Sequence, residues 1–210
     1  HSLAVIGAAA LVLGLATAPV ATAQEYETPR GAEITVLGGV QALQQNDSAL
    51  PDDAVNVPVA LALAYHLTPV FAAEGELTWI IPVEQSMDAG DGTKVDARTP
   101  DILAYQANLR ANLPLESSAV SPYLTAGAGA VTFLSNTDAD RRPQLAEDET
   151  AFAVNFGGGA TWRIQGPLAL RADFRELVAF PSDDAGGLAR DGSADDIWMT
   201  RGTVGLAWRF

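Results

Sequence analysis

Charged residues recur at every second position in several segments of the sequence, a spacing that places side chains on one face of an extended strand. Glu74 and Glu76 form one such pair, and Arg171, Asp173 and Arg175 alternate in sign along another segment. Opposite charges at this spacing suit ion pairing. We predict a network of paired charges formed by Glu74, Glu76, Arg110, Arg163, Arg171, Asp173, Arg175 and Arg201.

The residue types present do not favour nucleophilic catalysis. The sequence has no Cys, and a Ser nucleophile needs a neighbouring His as its base. The two histidines are His1, in a segment that we expect to be removed, and His66, next to a short turn. We therefore predict no catalytic residue and interpret His66 as a solitary histidine of a turn or of the protein interior.

Glycine-rich and acidic motifs give weak signals for cofactors and metals. Neither GAGA (residues 127–130) nor GGG (residues 157–159) is followed by the helix of a nucleotide-binding loop, so these glycines more simply relieve crowding or let a strand bend. The runs DAGDG, SDDAGG and DGSADD offer oxygen ligands for Ca²⁺ or Mg²⁺, but none has the spacing of an EF-hand. We predict no cofactor and no metal site.

The segments that carry the charges have the period of two that is typical of β-strands. In VNVPVALALAYHL (residues 55–67), large apolar residues alternate with small or polar ones. In the fifth predicted strand both faces are small and apolar, so its orientation stays open. Each strand has about ten residues, which is enough to cross a bilayer when the strand is tilted. We predict eight strands, at about residues 32–41, 55–67, 71–81, 103–112, 122–134, 152–163, 168–175 and 197–210.

The connections between these strands alternate in length. Short ones follow the second, fourth and sixth strands, whereas long ones at about residues 42–54, 83–101, 135–150 and 181–196 are rich in Asp, Gly, Ser and Pro. The long loops carry 18 of the 26 acidic residues and therefore most of the formal net charge of −14. An antiparallel up-and-down barrel, with short turns at one end and long loops at the other, explains the alternation. The acidity argues against nucleic acid as a partner.

A period of two does not by itself say which face is buried. A water-soluble β-sandwich turns its apolar face inward, whereas a transmembrane barrel turns that face toward lipid. The barrel is favoured because no helical segment interrupts the strands and because the charged faces hold both signs in near balance. An eight-stranded barrel is filled by its own side chains, and charges buried there must be paired.

Aromatic residues fall near both ends of the predicted strands. Trp162, Trp208 and Phe210 lie toward the turn end, and Trp79 and Trp198 lie toward the loop end. Aromatic side chains favour the two interfaces of a membrane, although each of these residues taken singly also suits an ordinary core. As a set they favour a membrane-spanning barrel.

The N-terminal segment has the features of a signal peptide. An apolar stretch precedes Ala21, Thr22 and Ala23, the small residues expected before a cleavage site. An uncleaved membrane helix is less favoured, because Gly14 and Pro19 interrupt a run shorter than the roughly 18 residues of a spanning helix. We expect a signal peptide at residues 1–23, a periplasmic N-terminal segment at 24–31 and the barrel domain at 32–210.

Several segments resemble a known family. GLAWRF at the end of the sequence resembles the last strand of Gram-negative outer-membrane proteins, and SPYLTAGAG, NFGGGATWRI and LALRADFREL resemble segments of small eight-stranded barrels of the outer-membrane-protein-A-like and opacity-porin-like group. The resemblance covers residues 32–210. It implies an outer-membrane barrel, monomeric or weakly associating, with its N-terminus in the periplasm and with Arg171, Asp173 and Arg175 facing the lumen.

The same resemblance implies how the barrel is assembled and anchored. Trp208 and Phe210 would form the signal that the barrel-assembly machinery reads. Two-domain members of the group have a further domain after the barrel, and nothing follows Phe210 in this sequence, so we do not expect anchoring to peptidoglycan.

Three classes of function follow from the resemblance. The favoured one is a non-enzymatic protein with an envelope-structural or surface-interaction role. Its acidic extracellular loops would contact either lipopolysaccharide, with divalent ions as a possible bridge, or a host or surface ligand. The alternative is a narrow porin-like channel, against which a plug of paired charges argues. A lipid A-modifying enzyme is less favoured, because deacylase-type chemistry belongs at the outer leaflet and His66 lies at an inner turn.

Overall fold

A computed structural model describes residues 31–44, 55–83, 85–88, 94–113, 115, 119–136, 144–182 and 196–210 of the chain. The predicted signal peptide, nearly all of the predicted periplasmic segment and most of the acidic loop residues lie outside these ranges. Among the described residues, none forms a helix long and apolar enough to cross a membrane, a finding that has no bearing on crossing by strands.

The described residues form ten strands, and eight of them close into a barrel. Every neighbouring pair in the barrel is antiparallel, and the first strand pairs with the last to close the ring. This confirms the predicted eight-stranded, antiparallel, up-and-down barrel. The strands are β1 (Ala32–Gln44), β2 (Val55–His66), β3 (Phe71–Pro82), β4 (Gln85–Asp88), β5 (Lys94–Ala97), β6 (Ile102–Asn112), β7 (Val120–Phe133), β8 (Glu149–Gln165), β9 (Leu168–Phe180) and β10 (Ile197–Arg209), and the barrel order is β1-β10-β9-β8-β7-β6-β3-β2.

The connections divide the barrel into two ends. Short connections link β2 to β3, β6 to β7 and β8 to β9 at what we call the turn end. The last of these has two residues and begins with Gly166, whose φ of 56° is one that glycine adopts without steric cost. The longer connections begin and end at the opposite end of the strands, which we call the loop end.

A hairpin and the bounds of several strands differ from the sequence prediction. The hairpin of β4 and β5 was not predicted, because four-residue strands inside a long polar loop give no clear alternation. β9 continues past the predicted residue 175 to Phe180, and β8 begins at Glu149 rather than at residue 152. In β9 the pattern fails because Leu177, Val178 and Ala179 are all buried, so alternation ends before strand pairing does.

Large apolar side chains face away from the lumen. Burial alternates residue by residue in β2, where Leu61 is 42% exposed and Ala60 is 2% exposed. In β7, whose orientation the sequence left open, Tyr123 and Thr125 are buried while Leu124 faces outward. The outer wall is therefore the apolar one, as lipid requires, and the chain is not a water-soluble sandwich.

Exposed aromatic side chains ring both ends of this outer wall. Trp79 and Trp198 lie toward the loop end, and Trp162 and Trp208 lie toward the turn end. These two girdles, as we call them, match the aromatic belts that flank the hydrocarbon zone of membrane barrels.

Candidate functional site

The interior of the barrel contains a layer of charged side chains centred on Glu74 of β3. Its carboxylate accepts hydrogen bonds from Arg171 Nη1 at 2.6 Å, Arg175 Nη2 at 2.8 Å and Arg110 Nη1 at 3.3 Å. All four side chains are at most 1% exposed. One carboxylate therefore organises three guanidinium groups away from bulk water.

The strand order explains why residues distant in sequence meet here. In a ring of eight strands, β3 and β9 lie four places apart and face each other across the lumen. Glu74 points inward from β3, and Arg171 and Arg175 point inward from β9, because each lies among the alternate residues of its strand that are buried. Eight strands enclose a space that side chains fill, so these long side chains reach across it.

Asp173 and Tyr123 complete the centre of the layer. Asp173 accepts hydrogen bonds from Arg175 Nε at 2.7 Å and Arg171 Nη2 at 2.9 Å, and also from the Tyr123 hydroxyl. The Tyr123 ring lies beneath the guanidinium carbons of Arg171 and Arg110, 5.0 and 5.4 Å from its centroid. Gly159 leaves room for this ring, since a Cβ there would overlap the phenol of Tyr123.

Two further ion-pair groups extend the layer along the lumen. Toward the loop end, Arg201 donates to Glu76 Oε1 at 2.6 Å and to Thr78 Oγ1 at 2.8 Å. Toward the turn end, Glu33 accepts from Arg110 Nη2 and from Arg209 Nη2, each at 2.9 Å. We call the whole set the charged layer: Glu33, Glu74, Glu76, Arg110, Tyr123, Arg171, Asp173, Arg175, Arg201 and Arg209.

His66 joins the turn-end part of this layer. Its Nε2 lies 3.3 Å from Arg110 Nη2 and 3.5 Å from Glu33 Oε2, and the residue is 5% exposed. It is therefore an interior histidine held among charges.

The structure brings together seven of the eight residues predicted for the network. Arg163 is the eighth, and it is exposed near the turn end, beside the register shift between Arg163 and Gln165, outside the charged layer. β8 extends beyond the lumen there, so a residue on the inward-facing side of the strand is no longer buried. Trp208 and Phe210, predicted as an assembly signal, are 46% and 73% exposed on the outer side of the turn end.

The charged layer also contains residues that were not in the predicted network. Glu33 and Arg209 share the charged faces of their strands, so parity alone was a signal for both. Tyr123 gave no such signal, because β7 is small and apolar on both faces over much of its length. Only the register of β7 with β8 and the closure of the ring bring its ring between two arginines.

The loop end of the lumen is filled by apolar side chains instead. The residues of this apolar layer are at most 6% exposed. Leu145 comes from the loop between β7 and β8, where Asn136 and Leu145 form an isolated β-bridge. Leu145 therefore adds to the filling of the lumen from this loop. The apolar layer consists of Leu43, Ile80, Ile102, Ala104, Val131, Phe133, Leu145, Ala151, Ala153, Leu177, Ala179, Ile197 and Met199.

The chemistry of this interior is electrostatic and packing chemistry. Within the described ranges, no group of three or more His, Cys, Asp or Glu side chains is placed to hold a metal ion. The four carboxylates of the charged layer face five guanidinium groups, and each carboxylate accepts at least one hydrogen bond from an arginine. Buried charges are tolerated when they are paired and hydrogen-bonded in this way.

Comparison with known families gives one match that covers most of the chain. The family model described as "Outer membrane protein beta-barrel domain" matches residues 8–210. No curated protein matches the chain.

Solved structures of small outer-membrane barrels share the fold. Neisserial surface protein A is 12% identical with a TM-score of 0.57, over 85% of this chain and 97% of that one. The N-terminal β-barrel domain of Pseudomonas aeruginosa OprF is 12% identical with a TM-score of 0.52, over 86% and 98%. Ail, the attachment invasion locus protein of Yersinia pestis, solved in complex with the heparin analogue sucrose octasulfate, is 14% identical with a TM-score of 0.53, over 86% and 99%.

Proposed function

Because the chain belongs to the outer membrane protein β-barrel family and lies in the cell outer membrane, we propose that it acts there as a closed, non-enzymatic barrel that displays acidic loops at the cell surface. Its role in this proposal is to stabilise the envelope and to present a surface for interaction.

The filled lumen is the observation that carries this proposal. The charged layer crosses the lumen from wall to wall, and the apolar layer fills the loop end above it. A channel needs a continuous aqueous path, and ions that enter the apolar layer lose hydration that its hydrocarbon side chains do not replace. In the described part of the barrel, two unlike layers stand in the way of such a path.

Planar-bilayer recording tests closure directly. The purified full chain is expected to give no discrete conductance steps above leak, with a known porin as the positive control for the bilayer. Reproducible steps that depend on the protein would overturn the proposal and support the narrow channel.

The position of the one histidine in the barrel domain supports a non-enzymatic role. His66 lies at the turn end, with Arg110 and Glu33 around it. A Ser–His pair acting on outer-leaflet lipid needs its base at the loop end. We expect the lipid A acylation profile to stay unchanged on overexpression, as mass spectrometry of extracted lipid A reports, and a changed profile would argue for an enzyme.

The charge of the loops indicates what kind of surface ligand they would take. Sequence places 18 acidic and five basic residues in the four long loops. Such loops repel a polyanion and attract a cationic ligand, or lipopolysaccharide phosphates through bridging divalent cations. The Ail structure holds a sulfated ligand, so we expect this chain to differ from Ail in its preference.

Cell-surface binding distinguishes these preferences. Cells that express the chain are expected to bind polylysine-coated beads better than heparin-coated beads, with the difference falling as salt rises. A variant with Asp183, Asp184, Asp191 and Asp195 changed to Asn is expected to lose part of that difference. Equal binding to both beads would contradict the proposed ligand class.

Assembly is expected to depend on the last strand. We propose that Trp208 and Phe210 are read by the barrel-assembly machinery and that the mature barrel is monomeric. Phe210→Ala is expected to lower the amount of folded protein in the outer membrane, whereas Phe180→Ala, which changes an outward phenylalanine at the loop end, serves as the matched control. Equal losses for both variants would argue against a specific signal.

A further inference from the structure

The charges of the described lumen offset one another except at the turn end. Three carboxylates and three guanidinium groups balance in the middle of the charged layer, namely Glu74, Glu76, Asp173, Arg171, Arg175 and Arg201. Toward the turn end, the single carboxylate of Glu33 lies between the guanidinium groups of Arg110 and Arg209. The charged layer therefore has a surplus of one positive charge, and this surplus lies at the turn end.

The two arginines that carry the surplus come from opposite walls. β6 and β10 lie four places apart in the ring, and their arginines meet at Glu33 of β1. Arg110 Nη2 donates to Glu33 Oε1 and Arg209 Nη2 donates to Glu33 Oε2, each at 2.9 Å. Arg110 also reaches Glu74 at 3.3 Å, but two closer arginines already occupy that carboxylate. His66 Nε2 lies 3.3 Å from Arg110 Nη2, and a histidine brings no negative charge in either protonation state.

Both of these arginines keep an unused donor. The Nε–H groups of Arg110 and Arg209 are buried, and neither has an acceptor within the described part of the chain. Buried N–H groups in folded proteins almost always have an acceptor. The turn end of the charged layer therefore lacks both an acceptor and a negative charge, and an anion with oxygen atoms supplies the two together.

The turn end is also where solution reaches the charged layer. The Arg209 side chain is 34% exposed, whereas that of Arg110 is 1% exposed. Arg163 is exposed at the same end, on the inward-facing side of β8. β9 separates β8 from β10, so the backbones at Arg163 and Arg209 lie about 10 Å apart, which is two strand spacings. No carboxylate of the described residues pairs with Arg163, so the surplus at this end rises to two positive charges.

We propose that the turn end of the lumen binds a phosphate-type oxyanion, with Arg163 and Arg209 at the mouth as its ligands and Arg110 behind them as a further source of positive charge. Guanidinium groups present paired N–H donors that match the oxygen atoms of a phosphate, and such charge-assisted hydrogen bonds are strong. A phosphate group carries between about one and two negative charges near neutral pH, which is the size of the surplus. Glu33 repels the anion, but one of the two arginines that hold Glu33 already offsets its charge.

Two sources of this chemistry lie within reach of the turn end. The short connections of an outer-membrane barrel face the periplasm, so soluble phosphate compounds approach the lumen from this side. Trp162 and Trp208 of the turn-end girdle are sequence neighbours of Arg163 and Arg209, so phospholipid headgroups of the inner leaflet lie at the same depth. The long loops at the other end, with 18 acidic and five basic residues, repel the same anion.

Arginine side-chain NMR of the full chain in maltoside micelles tests the proposal. The probes are inorganic phosphate and chloride at equal ionic strength, and the signals are the Nε–H resonances of Arg110, Arg163 and Arg209. Phosphate is expected to shift these resonances in a saturable way and to bind about fivefold more tightly than chloride, because the guanidinium fork matches an oxyanion.

Substitutions around the site are expected to have effects of opposite sign. Arg209→Gln is expected to weaken binding about tenfold, as the loss of one charge-assisted hydrogen bond gives, and Arg163→Gln about twofold, because Arg163 is more exposed. Glu33→Gln is expected to tighten binding, because it removes the negative charge and keeps the size of the side chain. Lys94→Gln is the matched control, since it removes one positive charge from β5 at the loop end.

A second titration separates the two sources of the oxyanion. Phosphatidylglycerol is added to the micelles in place of inorganic phosphate. Saturable shifts with inorganic phosphate assign the site to soluble oxyanions, whereas saturable shifts with the lipid alone assign it to headgroups.

Four results would overturn the proposal. One is no saturable shift with either inorganic phosphate or phosphatidylglycerol, and another is chloride binding as tight as that of the oxyanion. The third is a loss in Lys94→Gln as large as in Arg209→Gln, and the fourth is weaker binding in a folded Glu33→Gln chain. Heat-modifiable migration on gels verifies that each variant is folded, and Arg163→Gln, which changes an exposed residue, keeps the test decisive if Glu33→Gln does not fold.

Discussion

The charged layer and the apolar layer fill adjoining halves of one lumen, but they connect its walls in different ways. In the charged layer, Glu74 of β3 bonds to Arg171 and Arg175 of β9, the strand on the opposite wall. In the apolar layer, side chains such as Ile102 and Phe133 pack on whichever apolar neighbours surround them. The charged contacts specify partners, whereas the apolar contacts specify volume.

This difference has an energetic counterpart. A buried ion pair returns little net stability relative to apolar residues, but breaking it exposes the cost of an unpaired buried charge. Apolar packing contributes stability directly, and its loss scales with the cavity that is left. We infer that the charged layer selects one closure and register of the ring, and that the apolar layer seals the loop end.

Removing the centre of the charged layer gives the largest expected effect. Glu74→Leu leaves Arg110, Arg171 and Arg175 without the carboxylate that joins them, and we expect the free energy of unfolding to fall by about 4 kcal/mol. Denaturant unfolding in lipid vesicles, followed by tryptophan fluorescence, measures it. Arg163→Ala is the control, because that arginine is exposed outside the layer. A change below about 1 kcal/mol in Glu74→Leu would contradict the inference that the charged layer selects one closure and register of the ring.

A cavity in the apolar layer gives the next largest effect. Ile102→Ala removes a side chain with no exposure and is expected to cost about 3 kcal/mol in the same assay. Leu109→Ala on the same strand is the matched control, since Leu109 is 53% exposed toward lipid. Lipid chains fill the space that it leaves, so only the transfer part of the cost remains, about 1 kcal/mol. Equal costs for the two variants would mean that the apolar layer is not closely packed.

The edge of the charged layer is expected to contribute less than its centre. The Arg209 side chain is 34% exposed at the turn end, and Glu33 keeps its bond from Arg110 when Arg209 is removed. We expect Arg209→Ala to lower the free energy of unfolding by about 1 kcal/mol, and high salt to reduce the difference from the wild-type chain. A loss as large as that of Glu74→Leu would show that the contribution of a residue of the charged layer to stability does not depend on its burial.

Sequence pattern predicted the barrel wall because the wall is a local property. Alternation places Leu61 outward and Ala60 inward whatever the rest of the chain does, and eight such segments with alternating connection lengths allow few topologies. Parity also placed the charges of β3, β9 and β10 on the inner face. The partners of each charge are not local, because they depend on ring closure and stagger.

The failures of sequence pattern have the same origin. Arg163 has inward parity but lies past the end of the filled lumen, and Tyr123 has an uninformative strand but sits at the centre of the charged layer. The apolar layer was not foreseen either, because at the loop end of β9 both faces carry apolar residues and the period of two disappears. Depth along the lumen decides the cases of Arg163 and the apolar layer, and strand register with ring closure decides that of Tyr123; a period of two encodes neither.

The smallest predicted effect concerns the described residues of the loop between β7 and β8. Asp148 Oδ1 accepts a hydrogen bond from the Ser135 amide at 2.7 Å, and the adjoining residues Asn136 and Leu145 form the bridge that sets Leu145 into the layer. This backbone hydrogen bond lowers the pKa of Asp148 below its ordinary value of 3.8. A lowered pKa in the folded state means that the stabilisation is present above about pH 3.8 and is lost as the pH falls through the folded value.

An acid titration of the Ser135 amide resonance measures this contact. The resonance is expected to shift with a midpoint below 3.8 in the wild-type chain and to show no such titration in Asp148→Asn. Because Asp148 is exposed, this variant should unfold close to the wild-type chain and should loosen only the loop around Leu145. If Asp148→Asn destabilised the barrel as much as Ile102→Ala, the contact between Asp148 and Ser135 would contribute as much stability as the packing of the strand residues in the apolar layer. The prediction that this contact stabilises only the loop would then be wrong.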